Sequence, residues 1–195
     1  MSKQITKKMA MAVEEISKDI EDYSLGEIIR YSGKHKLKEE SVAEHSFMTA
    51  VNVIRFCELV GLPNEVKYKA TTLAVLHDID EAKMGDVPFD AKRDSATKKA
   101  FEEFERVFTI SNENYYSKRY GKDSKEILQD EDTLETRIVK LCDALSVMQY
   151  ANREAMMGNL SDDIFVILHK TPKRFAHDLA YVYNEYTERF GEQFE

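Results

Sequence analysis

The run VAEHSFMTAVNVIRFCELV, Val42–Val60, decides the fold. At 100° per residue, His45 shares one side of a helix with Met48, Thr49, Asn52 and Phe56, while Phe47, Ala50, Val51, Ile54 and Cys57 take the other. Both sides are partly apolar, so this helix is expected at the centre of a helical domain. The following run Asn64–His77 keeps the 3.6-residue period and aligns His77 with Val66, Ala70, Leu73 and Ala74. His77 is followed at once by Asp78, so an imidazole and a carboxylate leave the end of a buried helix together.

Working outward, the same period marks Thr6–Ile20, Leu25–Tyr31, Ala96–Tyr120, Thr133–Met157, Asp162–Leu168 and Pro172–Phe190, about eight helices in all. Seven Gly and three Pro in 195 residues leave little punctuation, which favours long helices over many short strands, and the length suits one domain over 1–195. The class is all-α. Pro63 and Pro172 are expected near the starts of helices, where a missing N–H is least harmful. Ser32–Ser41 is polar and Lys-rich, and Gly85–Asp94 carries Gly, Pro and three Asp, so these two segments read as functional loops.

The formal net charge of −8 argues against duplex nucleic acid as a partner, because such binding rests on Lys and Arg displacing counterions. A small anionic ligand remains compatible, since a metal ion and one or two arginines set the local potential. Cys57 and Cys142 sit in apolar stretches without metal-ribbon spacing and read as reduced, buried thiols. Met1–Tyr23 mixes Lys with Glu and Asp without a sustained apolar core, so neither a signal peptide nor a membrane span is expected there. A cytoplasmic location follows.

Asp143 lies on the helical row Val139, Asp143, Val147, Tyr150. A carboxylate between two valines needs a cation, strong hydrogen bonds or a raised pKa; Arg137 or Arg153 would serve, and so would a divalent metal. His45, His77, Asp78 and Asp143 together supply two imidazoles and two carboxylates from three helices. Mixed nitrogen and oxygen ligation suits Mn, Fe, Co or Zn, with Mg possible at an additional site, and four ligands leave positions open for water and substrate.

The ordered set His45, His77-Asp78 and Asp143 resembles the HD-domain superfamily. The runs Val42-Ala43-Glu44-His45-Ser46, His77-Asp78-Ile79-Asp80-Glu81 and Gly85-Asp86-Val87-Pro88 are similar to the bacterial 5′-deoxynucleotidases, and phage HD-domain enzymes that act on deoxynucleoside triphosphates share much of the pattern. The resemblance covers about Leu25 to Met157, with the helices of 162–190 expected to pack on that core. It implies a helical metal-dependent phosphohydrolase, often a homodimer, acting on deoxyribonucleoside 5′-monophosphates. A metal would be held by His45, His77, Asp78 and Asp143, Glu81 and Asp86 would form the catalytic pair, and Arg30 would clamp the phosphate, with Lys92 a weaker candidate for the same anion. Tyr31 stands where the monophosphatases commonly have Trp, and Phe89-Asp90 where they often continue with Thr-Pro.

Those departures leave base and sugar preference open. Tyr31 would stack on the base or crowd the sugar 2′ position. Lys34, Lys36 and Lys38 would line a phosphate channel if the enzyme instead released triphosphate from deoxynucleoside triphosphates; otherwise they solvate a loop. A non-catalytic nucleotide or metal sensor is the alternative of a different class, which the presence of Glu81 and Asp86 argues against. His35, His169 and His177 are candidates for a second metal, the last two on helices outside the motif.

Overall fold

The computed structural model describes residues 3–17, 21–87, 96–121 and 132–191. Among these residues it has no strand, and the helices are α1 (Lys3–Ser17), a 3-10 helix (Glu21–Gly26), α2 (Val42–Val60), α3 (Asn64–Leu76), α4 (Glu81–Met84), α5 (Lys98–Tyr120), α6 (Leu134–Met156) and α7 (Asp162–Phe190). The all-α reading holds, at close to the expected number of helices.

Four helices make the core. Val53 and Cys57 of α2, Ala70 and Leu73 of α3, Ile138 and Leu141 of α6, and Val182 and Tyr186 of α7 form one buried apolar cluster. A second joins Leu25, Val42, Leu76, Ile79 and Tyr116, which ties α5 and the 3-10 helix to the start of α2. Helix α1 takes no part in either, and its residues from Lys7 to Ser17 are all exposed.

The start of α2 is fixed locally. Ser41 caps it, accepting from the Glu44 N–H at 3.1 Å while Glu44 Oε2 accepts from the Ser41 N–H at 2.8 Å. This reciprocal capping box explains the Glu of the Glu-His-Ser run, and sets His45 one turn into the helix. The other end stops at Gly61, whose φ of 75° lets its N–H reach the carbonyls of the last turn.

Three expectations change. Helix α2 touches α3 and α6 but is buried along one side only; Phe47 and Ile54 are exposed, and the interior row runs through His45, Thr49, Val53 and Cys57. Leu25–Tyr31 is not a helix. After the 3-10 turn the chain extends, Ile29 pairs with Ser41 in an antiparallel bridge, and Tyr31 turns out of it with φ 58°. Finally, the two C-terminal helices are one, with Pro172 inside it rather than at its start. Proline there removes the N–H that would bond the Leu168 carbonyl, and packing of α7 along α6 carries the helix through that gap.

Candidate active site

Three helices deliver the predicted donors to one place. His45 is fully buried in the first turns of α2, His77 caps the end of α3, and Asp143 lies midway along α6. Donor atoms of these three residues all lie within 4.8 Å of one another. His45 Nε2 is 3.0 Å from Asp143 Oδ1, and the two imidazole rings are 5.3 Å apart. Asp78 borders this set, its Oδ2 3.2 Å from His77 Nε2 and 3.9 Å from His45 Nε2.

The protonation pattern suits a cation. Only the Nδ1–H of His77 can donate to the Ala74 carbonyl, 2.8 Å away, which leaves Nε2 as the ring nitrogen that faces Asp78. That Nε2 is buried and makes no hydrogen bond. Burial, and next the nearby Arg30, hold the His45 imidazole below its ordinary value, which favours the neutral ring a ligand must have. Burial would raise the Asp143 carboxyl, but Arg174 first and His45 second outweigh it and hold it well below the usual range. A neutral His45 imidazole, a His77 ring whose buried Nε2 makes no hydrogen bond, and an ionised carboxylate fit a divalent transition metal.

A cavity of about 690 Å³ reaches this cluster through its two carboxylates, Asp78 and Asp143. One wall carries Arg30, Tyr31, Asp78, Glu81, Asp86 and Asp143; the other is α7, with Lys170, Lys173, Arg174 and His177. Arg30 reaches it through the bridge between the 28–30 and 40–42 segments, where its N–H donates to the Glu40 carbonyl at 2.9 Å. Its guanidinium lies 3.4 Å from the buried Glu40 carboxylate, which aims it. Tyr31 stacks on Tyr150 at 4.6 Å between ring centroids, and its buried hydroxyl has no hydrogen-bond partner. Glu81 begins the short helix α4 one turn beyond His77 and is buried at the cavity wall.

Asp86 does more than line the cavity, because its Oδ2 accepts the Tyr31 N–H at 3.1 Å. Gly85 before it has φ 77° and ψ 163°, a conformation open to glycine alone, and this bend turns Asp86 inward. Lys92 lies outside the described residues. Of the three loop lysines only Lys34 lines the cavity, and it also pairs with Asp163 at 2.9 Å; Lys36 Nζ instead donates to the Arg30 carbonyl at 3.0 Å.

The partner of Asp143 is neither Arg137 nor Arg153. It is Arg174 of α7, whose Nη2 donates to Asp143 Oδ2 at 2.6 Å, while Arg137 pairs with Asp132. From sequence, His177 is only a candidate for a second metal and Lys170, Lys173 and Arg174 have no place at the site, yet all four line the cavity as its α7 wall. One signal pointed to it: Asp178 interrupts the apolar row continued by Val182 and Tyr186, just as Asp143 interrupts its own, and Arg174 lies four residues before it.

Over residues 23–190 the sequence matches the family described as 5′-deoxynucleotidase YfbR-like, so the match extends through α7. No curated protein matches by sequence. Among solved structures, an HD phosphohydrolase of cyanophage S-2L, bound to dA and one catalytic Zn2+ ion, is 17% identical with a TM-score of 0.63, covering 87% of this chain and 92% of that one. An HD-domain phosphohydrolase from Listeria innocua is 21% identical with a TM-score of 0.67, covering 91% and 86%. A conserved hypothetical protein from Pyrococcus furiosus is 21% identical with a TM-score of 0.61, covering 87% and 96%.

Proposed function

The chain belongs to the YfbR-like 5′-deoxynucleotidase family and is a metal-dependent phosphohydrolase, and from that premise we propose that it releases phosphate from deoxyribonucleoside 5′-monophosphates. The observation that carries this reading is the meeting of His45, His77 and Asp143 within 4.8 Å, with Asp143 lining a cavity together with Asp78, Arg30, Glu81 and Asp86. His45, His77, Asp78 and Asp143 would hold a divalent ion such as Zn, Mn, Co or Fe, and Mg is the candidate for any further site. When bound, such an ion supplies an acidified water and positive charge against the phosphoryl oxygens.

The chain's own residues supply the rest. Arg30, pre-aimed by Glu40, takes two phosphate oxygens through its planar guanidinium. Arg174 meets the same anion from the α7 side. As the water oxygen bonds to phosphorus and the bond to the 5′-oxygen breaks, a carboxylate oxygen of Glu81 accepts the water proton and later returns it to solvent, while Asp86 relays a proton from solvent water to the leaving 5′-oxygen. Tyr31 sits against the sugar, its stack on Tyr150 holding the ring where a 2′-hydroxyl would crowd it, so deoxynucleotides are preferred.

A second reading, release of triphosphate from deoxynucleoside triphosphates, draws support from the α7 wall, since Lys170 and Lys173 add positive groups to the cavity lining. Deoxy- and ribonucleotides at each phosphorylation state, assayed with Mn, Co, Zn and Mg, separate the two. Inorganic phosphate from monophosphates is expected, and Glu81→Ala should lose turnover with its metal content unchanged. Triphosphate as the main product would overturn the monophosphatase reading, and a fully active Glu81→Ala would remove Glu81 from the chemistry.

We take the working form to be a homodimer in the cytoplasm. Cys57 and Cys142 are buried and unpaired, as a reducing compartment allows. No helix among the described residues is long and apolar enough to cross a membrane.

A further inference from the structure

Helix α1 precedes the residues matched by the family, and from Lys7 to Ser17 it is exposed throughout. Its sequence is nevertheless ordered. Ile5, Met9, Ala12 and Ile16 recur at spacings of four, three and four, the stripe of a two-stranded coiled coil. Met9 is 54% exposed, and Ile16, at 72%, with its neighbour Val13, at 67%, is more so; a stripe this open on one face of a helix calls for a partner.

We propose that the partner is α1 of a second copy, running antiparallel. The charges select both occupant and direction. Lys8 and Glu15 flank the stripe on the same side, seven residues apart. Turning one helix end for end sets Met9 of each copy opposite Ala12 of the other, and brings Lys8 of each copy to Glu15 of the other. The symmetry makes two identical ion pairs. A parallel pair would set Lys8 beside Val13 and gain neither. A lipid surface fits less well, because basic residues would then spread over the whole polar face, whereas here Lys7 and Lys8 occupy the first half and Glu14 and Glu15 the second.

This inference rests on the homodimer reading and names a contact for it. Two heptads are short, so the pairing is weak alone and strengthens a dimer already held in part elsewhere. It is independent of the substrate.

The test mixes 14N- and 15N-labelled full-length protein and applies a zero-length carbodiimide cross-linker. Within one helix Lys8 and Glu15 lie about 10 Å apart along the axis, too far to join directly, so a Lys8–Glu15 link must bridge copies and appear as mixed-isotope peptides in the mass spectrum. Lys8→Glu and Glu15→Lys should each weaken dimerisation about tenfold at low salt in sedimentation velocity, and K8E/E15K together should restore it. A dimer without that link, indifferent to both single changes, overturns α1 pairing and leaves the homodimer standing. A monomer at all concentrations overturns both. Binding to anionic vesicles that falls with K8E and rises with E15K, without dimer, assigns the stripe to lipid and likewise overturns the pairing.

Discussion

Replacing Glu154 by Gln should destabilise the protein and loosen its substrate site together. Glu154 is fully buried near the end of α6. Its Oε2 accepts from the Leu37 N–H at 2.7 Å and from Asn159 Nδ2 at 2.7 Å, and its Oε1 accepts from the Lys38 N–H at 2.8 Å. Asn159 Nδ2 also donates to the His35 carbonyl, and the Tyr150 hydroxyl to the Lys38 carbonyl. One carboxylate thus anchors the loop that joins Arg30 and Tyr31 to Glu40. Hydrogen bonds to a buried charge contribute about 1.5–3 kcal/mol each, and an amide NH2 turned on a backbone N–H leaves a donor unmet, so a loss of about 2–4 kcal/mol is expected. At roughly 2–4 °C per kcal/mol, the melting temperature at pH 7 falls by about 10 °C. Burial works to raise the Glu154 carboxyl, but the Leu37 N–H, Asn159 and the Lys38 N–H overcome it and hold it below its ordinary value. Its stabilisation is therefore complete above the unfolded value of about 4.3 and is lost as pH falls through the lower folded value, so wild type and variant converge in acid. Thermal melts from pH 3 to 7 measure both terms, and nucleotide kinetics should show KM rising more than kcat falls. A variant as stable as wild type at pH 7, or a gap that stays constant into acid, would refute the anchor.

Three further outcomes are expected. Arg30→Lys keeps the charge but not the two-pronged grip beside Glu40, and should lower kcat/KM about 100-fold, with phosphate inhibition weakened in parallel. Tyr31→Ala should narrow the gap between deoxy- and ribonucleotide kcat/KM; an unchanged ratio would remove Tyr31 from sugar selection. Gly85→Ala places a side chain at φ 77°, ψ 163°, and should destabilise by about 1–3 kcal/mol in urea titrations while lowering kcat through Asp86.

Local pattern was enough to find α2, α3 and α6 nearly to the residue, because each buries a face with the helical period. It failed where distant segments decide. Leu25–Tyr31 has helical spacing, yet its backbone bonds to Glu40 and Val42, and no local rule shows that the chain will come back to meet it. Pro172 failed oppositely: the rule placing proline at a helix start is local, and the tertiary contact that keeps α7 whole is not. The site divides the same way. The meeting of His45, His77 and Asp143 was legible because polar residues on apolar rows need partners. Arg174 was not, since a basic residue beside Lys170 and Lys173 looks like any solvated helix face until α7 is laid against α6.

The turn at Tyr31 shows why the unreadable part matters. A tyrosine at φ 58° gives up about 1–2 kcal/mol relative to ordinary backbone. Had the chain stayed extended past the Ile29–Ser41 bridge, Arg30 and Tyr31 would point to opposite sides, and only one would face the cavity. The left-handed turn brings both to it, with the Arg30 guanidinium 5.2 Å from the Tyr31 ring. Asp86 holds the turned N–H and Tyr150 the ring, so the acid proposed to serve the leaving oxygen also fixes the residue proposed to select the sugar. Altering Asp86 should for that reason disturb selectivity as well as rate, whereas a residue acting on the proton alone would change the rate and leave the deoxy preference intact.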